Sequence, residues 1–156
     1  MVGFHAKGSD TLVAVPDCKL LEPALLASFP ALEALTVLAC SRKGEIDLTV
    51  TDAPLGPDIL VTTEKELTSQ LRVELAALAN QHGLSRLVWN DEQVVTINPP
   101  AQDFGGTGVV PPPGAFLQAT RHGELALLQA VTEITAKASR IVDLFAGCGT
   151  FTLPLA

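Results

Sequence analysis

The stretch whose residue types and spacing best suit chemistry is Ile141-Val142-Asp143-Leu144-Phe145-Ala146-Gly147-Cys148-Gly149-Thr150-Phe151. An apolar strand expected over Arg140–Leu144 carries Asp143 to its carboxyl end, and Gly147 and Gly149 then make a tight turn before a helix start. Glycines at such places let the backbone approach a ligand with no Cβ in the way, and the free N–H groups of the turn offer donors to a polar group. Asp143 is placed to receive an ammonium group, and Phe145 to offer an apolar wall. Crevices outside strand ends are where ligands bind in open α/β folds. A dinucleotide loop would want Gly-x-Gly-x-x-Gly, but the third glycine position holds Thr152, and the acidic ribose-binding residue expected about 20 positions on falls beyond Ala156. An S-adenosylmethionine (SAM) loop, Asp-x-x-x-Gly-x-Gly, fits better; a structural glycine turn in an unrelated α/β protein is the plain alternative.

The elements that must hold this loop can be read backwards along the chain. A helix over Arg121–Lys137, with Leu125, Leu128, Val131 and Ile134 facing inward, precedes the strand, in the grammar of an open α/β sheet. Before it, Pro99-Pro100, Gly105-Gly106 and Pro111-Pro112-Pro113-Gly114 punctuate a linker that closes one domain near residue 113. Within residues 1–113, strands are expected at 11–15, 86–89 and 94–97, and a turn or two of helix at Glu22–Phe29. Thr36–Cys40 and Glu45–Thr51 are read as a hairpin around Ser-Arg-Lys-Gly, with Ile46, Leu48 and Val50 on its buried face. Leu67, Leu71, Leu75 and Leu78 predict a helix over Glu64–His82, opened by a Thr63/Glu66 capping box and closed at Gly83. Hairpins backed by helix mean an α+β domain.

Composition sets outer bounds. With 156 residues and 47% hydrophobic content the chain can build a core. Ten Lys plus Arg against seventeen Asp plus Glu give a formal net charge of -7, the wrong sign for gripping phosphates, so composition alone argues against nucleic-acid binding unless neighbouring sequence supplies basic surface. Cys18, Cys40 and Cys148 are odd in number and far apart, which suggests neither a disulfide framework nor a self-contained zinc site. No targeting signal or membrane-length run is read, and a reducing, cytoplasmic setting is expected.

Taken with its surroundings, Asp143-Leu-Phe-Ala-Gly-Cys-Gly-Thr-Phe-Thr-Leu-Pro-Leu-Ala156 closely resembles the first SAM-binding motif of the bacterial RNA uracil-5-methyltransferases. Gly114-Ala-Phe-Leu-Gln118 resembles that family's Phe-x-Gln element, and Val2–Ser9 through Val15–Cys18 resembles the start of its central domain. The resemblance implies an α+β central, substrate-side domain at 1–113, followed at 114–156 by the opening helix, strand and loop of a class I, Rossmann-like methyltransferase domain. It implies that Gln118, Phe145 and Thr150 contact SAM, with Asp143, Gly147 and Gly149 completing the cofactor loop, and that Phe116 lies beside a flipped target uridine of RNA. Ala119-Thr120 departs from the Val-Asn common in the family.

Cys18 resembles the last of four cysteines that hold a [4Fe-4S] cluster in the ribosomal-RNA branch; alone, one thiolate cannot hold such a cluster, and none is expected here. The family's chemistry needs a cysteine to attack C6 of uracil and a base to take the C5 proton, and in the family both lie far beyond the first SAM motif. Cys148, between two glycines, is a poor candidate for that nucleophile, and His5, His82 and His122 have no partner identifiable from sequence. The expected protein is therefore an internal piece of an enzyme on ribosomal rather than transfer RNA, inactive alone and prone to self-association through an unpaired strand at 140–145. The rival is a non-catalytic binding or scaffold module with a structural glycine loop.

Overall fold

A computed structural model describes residues 1–40 and 44–156, which fall into two units, Met1–Pro100 and Ala101–Ala156. The first opens with an antiparallel ribbon of β1 (Gly3–His5) and β2 (Leu12–Ala14). Only glycine fits at position 3, because a Cβ there would lie 2.0 Å from the Val13 carbonyl oxygen. Next come α1 (Pro23–Ala27) and α2 (Phe29–Ala39), each with proline in its first turn, where a missing N–H costs nothing. Between them the Ser28 hydroxyl donates to Leu25 O at 2.6 Å.

Helix α2 corrects the hairpin reading, since Thr36–Ala39 is its last turn and only Cys40 is extended. The buried residues Ala31, Leu32, Leu35 and Ala39 recur at helical spacing, and burying that stripe outweighs the weak strand preference of Thr36 and Val37. Of the turn expected for that hairpin, residues 41–44, the first three lie outside the described residues.

A four-stranded sheet follows, ordered β3 (Asp47–Thr51), β4 (Asp58–Thr62), β5 (Arg86–Trp89), β6 (Glu92–Thr96). Ile46, Leu48 and Val50 pack against the core as expected. β4, a strand the sequence reading passed over, runs antiparallel to β3 and parallel to β5, and the parallel pair is joined by α3 (Ser69–Gln81). A parallel connection needs such a crossover, whereas β5 and β6 turn directly through Asn90-Asp91. Gly56 admits the chain to β4: at φ 124°, a Cβ would lie 2.0 Å from the Gly83 carbonyl oxygen. Leu35, Ile59, Leu75, Leu84 and Leu87 are fully enclosed and Trp89 nearly so, each worth about 1.5–3 kcal/mol on burial.

The α3 boundaries also differ from expectation. Thr68, not Thr63, caps the helix, its hydroxyl accepting from Leu71 N at 3.2 Å. Thr63 Oγ1 instead accepts from Lys65 N at 3.2 Å, and Lys65 O accepts from Trp89 Nε1 at 2.8 Å. That carbonyl's tie to β5 holds the segment before Thr68 out of the helix.

In the second unit, β7 (Gln102–Phe104) and β8 (Thr107–Val109) pair antiparallel. The glycines read as linker make the turn between them, Gly105 at φ 65° and Gly106 at φ 87°, the conformation that two-residue hairpin turns favour. This hairpin belongs by contact with the C-terminal unit: Asp103 O accepts from Arg121 Nη1, and Gly105 lies against Pro154. The two units divide after Pro100, whereas the boundary expected near 113 is that of the family's domains. Helix α4 (Arg121–Thr135) is capped by Thr120, whose hydroxyl accepts from Gly123 N at 3.0 Å. Its apolar stripe is not buried: Leu125 is 50% and Ile134 83% exposed. The strand expected at Arg140–Leu144 is not formed. Extended backbone needs a neighbouring strand to take its hydrogen bonds, and none of the described residues supplies one. The chain ends in α5 (Thr152–Leu155). Among the described residues no helix is long and apolar enough to cross a membrane.

Candidate functional site

The glycine loop folds as a run of turns from Gly147 to Phe151 into α5. Gly147 at φ 58° and Gly149 at φ 84° occupy the left-handed region open to glycine. Gly149 N donates to Ala146 O at 2.9 Å, and Leu153 N to Gly149 O at 3.0 Å, which joins turn to helix. A Cβ on Gly149 would also crowd Leu153 at 3.0 Å. Thr150 is half-buried in this turn.

Beside it lies a recess of about 330 Å³, whose lining includes Arg140, Asp143, Thr152 and Leu155. Asp143 Oδ2 accepts from the Thr152 hydroxyl at 2.5 Å. This bond was not foreseen, although Thr152 stood out as the residue replacing a third glycine. It fixes the carboxylate across the loop and leaves Oδ1 without a hydrogen bond among the described residues. The arrangement can present one carboxylate oxygen to a cation and a glycine turn to an approaching ligand.

The aromatic and amide positions are not drawn in. Phe145 is fully exposed with φ 68°, a left-handed conformation that costs a residue with Cβ about 1–2 kcal/mol. Phe116 is 80% exposed. Gln118 is half-buried and its side chain makes no hydrogen bond among the described residues. Cys18, in the first unit, is half-buried with its N–H donating to Val15 O at 3.3 Å. Among the described residues no group of three or more His, Cys, Asp or Glu is poised to hold a metal.

No family model matches the chain. Individual proteins do. It is 33% identical over 156 residues to an uncharacterized RNA methyltransferase of Rhizobium meliloti (strain 1021), a match covering 100% of this chain and 38% of that protein. A second uncharacterized RNA methyltransferase, from Mesorhizobium japonicum, is 33% identical over 156 residues with the same coverage, 100% and 38%. The 23S rRNA (uracil(1939)-C(5))-methyltransferase RlmD of Shewanella halifaxensis is 28% identical over 170 residues, covering 99% of this chain and 37% of that protein. The chain spans about 38% of the length of the first of these proteins. From end to end, then, this chain is a relative of proteins named as RNA methyltransferases.

Proposed function

We propose that this chain is part of a SAM-dependent RNA methyltransferase acting at C5 of uridine, with ribosomal RNA as its substrate class. The observation that carries the reading is end-to-end similarity to RNA methyltransferases, one of them named for a uracil C5 in 23S rRNA. The glycine turn with Asp143 beside it supports the cofactor assignment. SAM, when bound, supplies the methyl group. In this proposal Gly147 and Gly149 shape the loop, Thr150 contacts the cofactor, Asp143 and Gln118 recognise its polar groups, and Phe145 covers its apolar side. Phe116 stacks with the flipped uridine. Residues 1–113 form the substrate side and 114–156 the opening of the class I fold. The attacking cysteine and the base lie outside these residues, as do the partners Cys18 would need for a cluster, and the 156-residue chain alone neither binds SAM tightly nor methylates.

The test uses the full-length protein that carries this chain and RNA labelled with tritium at uridine C5. SAM-dependent tritium release is expected, because the C5 proton must leave after methyl transfer. Gln118→Ala and Phe116→Ala should each slow it, through SAM use and base handling respectively, by about 1–3 kcal/mol, roughly 5- to 150-fold. Methylation with the tritium retained would place the chemistry at another atom. Titration calorimetry on the 156-residue chain should show no low-micromolar SAM binding; such binding would overturn the claim that this stretch is insufficient.

A further inference from the structure

The first unit carries a groove of about 900 Å³, remote in sequence from the glycine loop. That volume lies near the top of the roughly 300–1,000 Å³ range of ligand pockets. Its apolar floor includes Leu25, Phe29 and Leu32. All three residues of β1 line one wall, and Asp47–Val50 of β3 line another. Among the described residues both strands are edges: β1 pairs only with β2, and β3 ends the order of the four-stranded sheet. The two sheets share no pairing, although His5 Nε2 reaches to 3.8 Å from Glu45 Oε2. Alternate residues on an edge strand aim N–H and C=O away from their sheet. Among the described residues the groove is therefore an apolar slot flanked by strand edges with no backbone partner. A small molecule would want a few convergent polar groups on such walls, whereas a strand wants this periodic edge.

We propose that this groove receives an extended peptide segment of a partner protein, which adds as a strand to the edge of β3. Charge sets its chemistry. The carboxylates among the described lining residues are Glu45 and Asp47, both exposed, in a chain of net charge -7. The segment accordingly alternates apolar side chains, which enter the slot, with lysine or arginine, which face those carboxylates. A second copy of this acidic chain is the poorer match.

The experiment titrates the 156-residue chain with a fluorescent octapeptide alternating lysine and valine, and maps amide hydrogen exchange in the complex. Saturable binding with slowed exchange at Asp47–Val50 is the expected result. A peptide N-methylated at every second residue, which removes strand donors but keeps charge and apolar surface, should lose binding; so should a glutamate-valine version. Asp47→Lys should weaken binding roughly two- to fivefold, the scale of one exposed charge pair. Equal binding of the N-methylated peptide, protection elsewhere than β3, or no binding would overturn the proposal. Protection of β3 that rises with protein concentration in the absence of peptide would do the same, by assigning the edge to a second copy.

Discussion

Asp58 and Arg86 begin β4 and β5, stand directly opposite in the parallel register, and are both buried. Arg86 Nε donates to Asp58 Oδ1 at 2.8 Å and Nη2 to Oδ2 at 2.6 Å, a bidentate pair. Neither charge would tolerate this depth alone, so each holds the other's strand in register. Asp58→Ala should therefore cost about 3–5 kcal/mol in urea unfolding, most of it from a stranded guanidinium. The double change Asp58→Leu with Arg86→Met should recover much of that loss, because two apolar side chains leave no buried charge. A cost below about 1 kcal/mol for Asp58→Ala would mean that the pair is solvated. The Asp143–Thr152 bond is of another kind: both residues are exposed, so it orients a carboxylate and adds little stability.

At the scale of elements, α2 offers a direct contrast between the helix observed and the strand expected. Leu35 is 0% exposed and Val37 79%. Leu35→Ala should destabilise by about 2–5 kcal/mol and Val37→Ala by less than about 0.5 kcal/mol, measured by chemical denaturation. Comparable losses at both would restore the strand reading. Where one period dominated, the sequence was legible: Leu71, Leu75 and Leu78 marked α3, and Ile46, Leu48 and Val50 marked β3. It was ambiguous where short apolar runs fit either period, as at Thr36–Ala39, and where Asp58-Ile-Leu-Val-Thr62 carried no alternation because β4 sits between two strands. Gly105-Gly106 signalled a hairpin turn but was read as a linker, since the flanking strands of three residues are too short to show a pattern. The loop glycines were legible because positive φ leaves few other choices. What the residue pattern did not carry was the partner of Asp143, which depends on how the turn closes, and the strand at 140–144, whose apolar run presupposes neighbours that it does not have here.

Over the whole molecule, the two units differ in how they are held together. The first has a continuous core in which α2 and α3 enclose the sheet residues Ile59, Val61, Leu87 and Trp89. In the second, only Phe104 among its apolar side chains longer than proline is buried, while Phe116, Ile134, Val142, Leu144 and Phe145 are each at least 75% exposed. A helix the length of α4 is marginal in water by itself, because the cost of nucleation must be offset by packing. Residues 1–100, which hold a continuous core of their own, should consequently fold alone and unfold cooperatively in urea. In the intact chain, backbone amides of 140–145 should exchange at nearly unfolded rates, while those of β4 and β5 report the global stability of the first unit. Failure of residues 1–100 to fold would show that the second unit completes the core of the first. Protection at 140–145 equal to that of β5 would show a paired strand there, and with it the open α/β sheet that the sequence around Asp143 anticipates.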